Sequence, residues 1–164
     1  MTFNNAYANI FQKGGKRVKK SKSIFFSILV VRILIAIIFL SAFFIPLISH
    51  SYVVISNSPT DISMPVTIGL YCLVLPALYT LIALHFLLNN IRKGNVFVKK
   101  NTSFLTMIFI GLILVGVICA FMAPISWAFG FTAIAFLFVA LILLVLRNVF
   151  DYAVAIKEEN DFTI

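Results

Sequence analysis

Four apolar blocks of roughly 20 residues each, separated by polar stretches, constrain this chain more than any other feature. A helix of that length spans the ~30 Å hydrocarbon core of a bilayer at ~1.5 Å per residue. With 62% hydrophobic residues, 11% charged residues and a mean hydropathy of +1.11, the 164-residue chain carries more apolar surface than a soluble domain of its size hides. The fold class that follows is all-α, an integral membrane four-helix bundle.

The spans are predicted at 24–47, 66–88, 104–122 and 127–147. A basic arm, 1–23, precedes them, a basic loop, 89–103, joins the second to the third, and a tail, 148–164, follows. The first block is too long and too rich in β-branched residues for the core of a cleaved leader, and is read as a retained signal-anchor helix. Pro46 lies near its far end. Pro76 falls inside the second helix, where its ring removes a backbone hydrogen bond, with Tyr79 and Thr80 close by to cover the freed carbonyl. Gly94 and Asn95 supply turn chemistry, and Asn101, Thr102 or Ser103 is available to cap the third helix. Only Ala123 to Ser126 separate the third and fourth helices, which are therefore antiparallel neighbours. Small residues at Gly116, Ala120 and Pro124, and at Cys119 and Ala123, allow close helix approach, and Trp127 suits an interfacial anchor.

The net charge of +8 is strongly clustered. Lys13, Lys16, Arg17, Lys19, Lys20 and Lys22 lie in the arm, Arg92, Lys93, Lys99 and Lys100 in the middle loop, and Arg147 and Lys157 at the end. The other two connections carry none, so the positive-inside rule puts both termini and the middle loop in the cytoplasm. The fourth helix then extends into a cytoplasmic C-terminal segment. The arm, through Lys16, Arg17, Lys19, Lys20 and Lys22, addresses anionic headgroups of the lipid bilayer. It is too short for a DNA-binding domain, so no direct nucleic acid contact is expected.

Catalytic patterns are missing: there is no HExxH, GxSxG or phosphate-cradling loop. His50 and His85 are predicted at opposite ends of the bundle, which excludes a paired metal or haem site. Cys72 and Cys119 lack metal or redox spacing and read as small buried hydrophobes, although their similar depth leaves a bridge open. Arg32 is the one ionisable residue well inside a span. Three readings suit it: snorkelling to the headgroups, pairing with Asp151 or another C-terminal acid folded back against the bundle, or a transport role. No cofactor is implied.

The tail holds four of the five acidic residues. It reads as helix up to a stop at Asn160, with Phe150, Ala153, Val154 and Lys157 along one stripe. Asp151, Glu158 and Glu159 can address basic groups, and Phe162 and Ile164 suit a docking end. The ending "IKEENDFTI", preceded by "FDYAVA", resembles the terminal signature of the bacterial domain of unknown function 2975 family, although Phe162 stands where leucine is commoner. The loop "IRKGNVFVKKNTSFL" is similar to that family's second connection through Gly94, Phe97 and Asn101.

The resemblance implies a small four-span inner-membrane protein, often encoded beside a small Cro/C1-type helix-turn-helix regulator. It further implies a non-enzymatic membrane partner of such a regulator. Gly94, Phe97, Asn101, Asp151, Lys157, Glu158, Glu159, Asn160, Asp161 and Phe162 would then make the contact, or dock on one another. Two alternatives come from other classes. One is a transporter or channel formed as a homo-oligomer, with Arg32, His85 and the Pro76 kink along a path. The other is an envelope stress or bacteriocin-immunity factor.

Overall fold

The computed structural model describes residues 22–56 and 62–162, and every regular element in them is a helix. The arm with Lys16, Arg17, Lys19 and Lys20, the connection 57–61 and the last two residues lie outside the described residues. The helices are α1 (Lys22–Ser56), α2 (Ser63–Arg92), α3 (Lys99–Met122) and α4 (Trp127–Phe162). All four are long and apolar enough to cross a membrane. Helix is the form such segments must take in lipid, because each backbone N–H and C=O then finds its partner within the segment.

Three of the helices extend well beyond their apolar blocks. At ~1.5 Å per residue, the 35 residues of α1 and the 36 of α4 reach more than 50 Å. Nothing breaks α1 between Ile48 and Ser56, since its polar residues there are compatible with helix. Pro46 lies inside α1 and Pro76 inside α2 without ending either. The Thr80 hydroxyl donates to the carbonyl of Pro76 itself, at 2.8 Å. The carbonyl that the proline ring frees belongs to Cys72, so the covering role expected of Thr80 is not the one it plays. Asn160 does not stop α4, which continues through Asp161 to Phe162.

The helices pack strictly in chain order: α1 on α2, α2 on α3 and α3 on α4. Among the described residues the backbones of α1 and α4 do not pack together, so the bundle is open along that side. One ring contact, Tyr52 with Phe129 at 6.5 Å, reaches across it near the end that carries Trp127.

Two apolar clusters hold α2, α3 and α4. The first joins Ala83, Leu87, Leu105 and Ile108, with Phe150 of α4 packed against them. The second joins Val115, Cys119 and Ala133. Gly111 lets α3 approach Thr80 and Tyr79 closely, and Gly116 lies under Leu137. Of the small residues read from the sequence, Gly116 and Cys119 face α4, whereas Ala120 is exposed. Cys72 is exposed and Cys119 buried, and both are free thiols.

Candidate functional site

The charged end of the molecule is the most elaborately built region. α2 ends in a Schellman turn: the Gly94 N–H donates to Ile91 O at 3.0 Å and the Asn95 N–H to Asn90 O at 3.2 Å. Closing it requires a left-handed residue, and Gly94 has φ +88°. The turn brings Asn90 opposite Asn101, which is fully buried. The Asn90 amide donates to Asn101 Oδ1 at 3.0 Å, and the Asn101 amide donates to the carbonyls of Asn95 and Val96, each at 2.7 Å. One asparagine thus ties the end of α2, the connection and the start of α3 together.

That role replaces the cap expected of Asn101, Thr102 or Ser103. α3 starts at Lys99, after an extended Val98 that makes no side-chain cap. Asn101 and Thr102 sit inside the first turn with their side chains buried.

Past this hub, α4 docks on the connection. The rings of Phe97 and Phe150 lie 5.8 Å apart, Val154 is buried, and Lys157 Nζ donates to the Phe97 carbonyl at 3.5 Å. Lys99 Nζ pairs with Glu158 at 2.9 Å. Of the residues singled out in the sequence, Phe97, Lys157 and Glu158 therefore meet, with Gly94 and Asn101 shaping the surface beneath them. Asp151 does not turn back to Arg32. It lies 3.7 Å from Arg147, one turn away on its own helix, and α4 does not pack on α1. Asp151, Glu159 and Asn160 are on exposed positions, and Asp161 and Phe162 form the last helical residues.

A second stripe on α4 faces away from the connection. Val149, Tyr152 and Ile156 follow one another at helical spacing and are exposed, Tyr152 at 74%. Asn148, Asp151, Tyr152 and Ala155 border a polar surface recess of about 490 Å³. Trp127 to Arg147 spans about 30 Å of helix, the thickness of a hydrocarbon core.

Elsewhere the surface is apolar. A groove of about 230 Å³ between α1 and α2 is lined by Ile38, Ile45 and Leu73 among others, and a larger one of about 790 Å³ between α2 and α3 includes Pro76. Arg32 and His85 share the α1–α2 seam, so the three residues suggested for a transport path do not converge. No group of three His, Cys, Asp or Glu among the described residues is placed to hold a metal.

Asn90 and Lys99 were not among the residues singled out for docking in the sequence. Their signals were the asparagine at the close of one apolar block and the lysine at the opening of the next.

A family model described as "Protein of unknown function (DUF2975)" matches residues 47–164, from the last part of α1 through the tail. No curated protein and no solved structure matches the chain.

Proposed function

We infer, from the premise that the chain belongs to the DUF2975 family and from the second stripe on α4, that this is a non-catalytic membrane partner of a small cytoplasmic regulator. The exposed stripe Val149, Tyr152 and Ile156 carries the reading. Tyr152 and Ile156 stand outside the lipid-covered part of the helix, where apolar side chains gain nothing from being bare. An amphipathic helix of this kind fits a groove on another protein.

Charge narrows the partner. Asp151 and Glu159 flank the stripe, so the surface suits a basic, helical protein, and a helix-turn-helix regulator of the Cro/C1 type has that character. The clustered Lys and Arg residues support a cytoplasmic position for this end, where such a protein resides. Docking of the opposite stripe on Phe97 holds the helix in place and leaves its free face presented.

Capture of a small basic helix-turn-helix protein of the Cro/C1 type by detergent-solubilised full-length protein tests the reading. Binding should fall at least tenfold in the Tyr152→Ala, Ile156→Asp double variant with helix content unchanged. Absence of capture by the wild type, or equal capture by the variant, would overturn it.

A further inference from the structure

The seam between α1 and α2 concentrates positive charge that the protein does not neutralise. The Ser49 and Thr67 hydroxyls meet at 2.6 Å and set the antiparallel register of the two helices. Counting back from that pair puts Arg32 beside His85. Arg92 follows His85 at the i, i+7 spacing and so lies on the same face of α2, two turns nearer the charged end. Both arginines lie within electrostatic reach of His85. Arg32 is exposed on α1, and the half-buried His85 ring keeps its Nδ1 buried without a hydrogen-bond partner.

No counter-anion comes from the helices that meet there. α1, α2 and α3 contain no Asp or Glu at all. Among the described residues, the carboxylates are on α4, which does not pack on α1. Two of them are engaged elsewhere, Asp151 with Arg147 and Glu158 with Lys99.

The same register relates Arg32 to the membrane. Arg147 falls level with Thr102 on α3, Asn89 on α2 and Ser27 on α1, so Arg32 sits about 8 Å further into the hydrocarbon than that level. A cation at that depth reaches towards the headgroups and draws an anion in.

The geometry points to a discrete binding site for one anionic phospholipid on the outer flank of the α1–α2 seam. Arg32 and Arg92 hold the headgroup phosphate between them, on either side of His85. Basic recesses between membrane helices on the cytoplasmic side bind phosphate headgroups in this way. The site is distinct from the α4 stripe and stands or falls independently of the partner assigned there.

Native mass spectrometry of the full-length protein released from neutral detergent, with phosphatidylglycerol and phosphatidylcholine present in equal amounts, tests it. The wild type should retain one phosphatidylglycerol. Arg32→Gln and Arg92→Gln should each reduce retention about fivefold, the value of one near-surface charge. Lys100→Gln removes the same charge from α3 and should change nothing. Arg92 lies at the helix end, so its variant carries the test should Arg32→Gln fail to fold. Equal retention of the two lipids, or undiminished retention by Arg92→Gln, would overturn the site. Displacement of the lipid by millimolar inorganic phosphate would overturn the lipid assignment, since a free anion would then suffice.

Discussion

α2 is joined to its two neighbours by opposite means. Against α3 it is fastened along its length: Thr80 packs on Gly111 at mid-span, Phe86 stacks on Phe104 with ring centroids 5.9 Å apart, and Asn90 bonds to Asn101 at the end. Against α1 one hydroxyl pair, Ser49 with Thr67, fixes the far end. From there the seam passes through an apolar groove to His85 and the two arginines near it, Arg32 and Arg92. In lipid, where apolar surface gives little drive for helices to associate, small residues and polar contacts decide which pairs adhere. By that measure the α2–α3 pair is the frame, and α1 joins it through buried apolar residues, Ile28, Val31 and Ile45, and the hydroxyl pair of Ser49 and Thr67.

The largest effect is expected where the frame is tightest. A side chain at Gly111 would meet the Thr80 hydroxyl and crowd Tyr79. Gly111→Leu should therefore cost about 3 kcal/mol, the upper range for overpacking, read as a lower midpoint of unfolding in mixed detergent. On the looser seam, Ser41→Ala should stay within about 0.5 kcal/mol, because the Ser41 hydroxyl bonds only to Ile38 of its own helix. Equal losses at the two positions would erase the contrast between the seams.

Asn101→Leu comes next. It strands the Asn90 amide and the carbonyls of Asn95 and Val96 at once; such a group costs about 1–3 kcal/mol when buried, less here because Asn90 and Val96 are half-buried and Asn95 is exposed. A net loss of about 2–3 kcal/mol follows, accompanied by faster amide exchange from Gly94 to Val98, while the exchange of α1 stays unchanged. Protection retained in that connection would show that the hub is not what holds it.

Of the hydroxyl contact on the other seam less is expected. Ser49→Ala should cost about 0.6 kcal/mol, the average for hydrogen bonds between membrane helices. Spin labels on α1 and α2 would report a broader distance distribution at their charged ends. A loss as large as that of Asn101→Leu would place α1 within the frame.

The four spans were legible because twenty apolar residues in a row admit one solution in lipid. Helix ends were less so. α1 runs on through His50 to Ser56 and α4 through Asn160, since polar residues outside the hydrocarbon neither require nor forbid helix. Asn101 read as a cap because asparagine opens an apolar block. Only the Schellman turn, which folds Asn90 back against it, reveals that the side chain points inward. Of the lateral order, only the adjacency of α3 and α4 was legible, from the short connection Ala123 to Ser126; blocks apolar on every side do not say which face meets which neighbour. The tail's stripe through Phe150 and Val154 was visible in its spacing. Docking on the chain's own basic loop was one of the two readings of that tail, and the contacts of Phe150 and Lys157 with Phe97 agree with it; which faces meet depends on two helix directions that spacing does not encode.

The smallest effect concerns the pair that fastens α4 to the frame. Lys99 and Glu158 lie 2.9 Å apart, but their side chains are 79% and 44% exposed, so water and salt screen the attraction. A double-mutant cycle with Lys99→Gln and Glu158→Gln should give a coupling of about 0.2–1 kcal/mol that fades at high salt. Phe97→Ala should loosen the same junction more, because it removes a ring contact that salt cannot screen. Limited trypsin digestion at Lys157 measures both. If the charge variants opened that site as readily as Phe97→Ala does, the extension of α4 would be held by electrostatics rather than by packing. Raising the salt concentration alone would then release it.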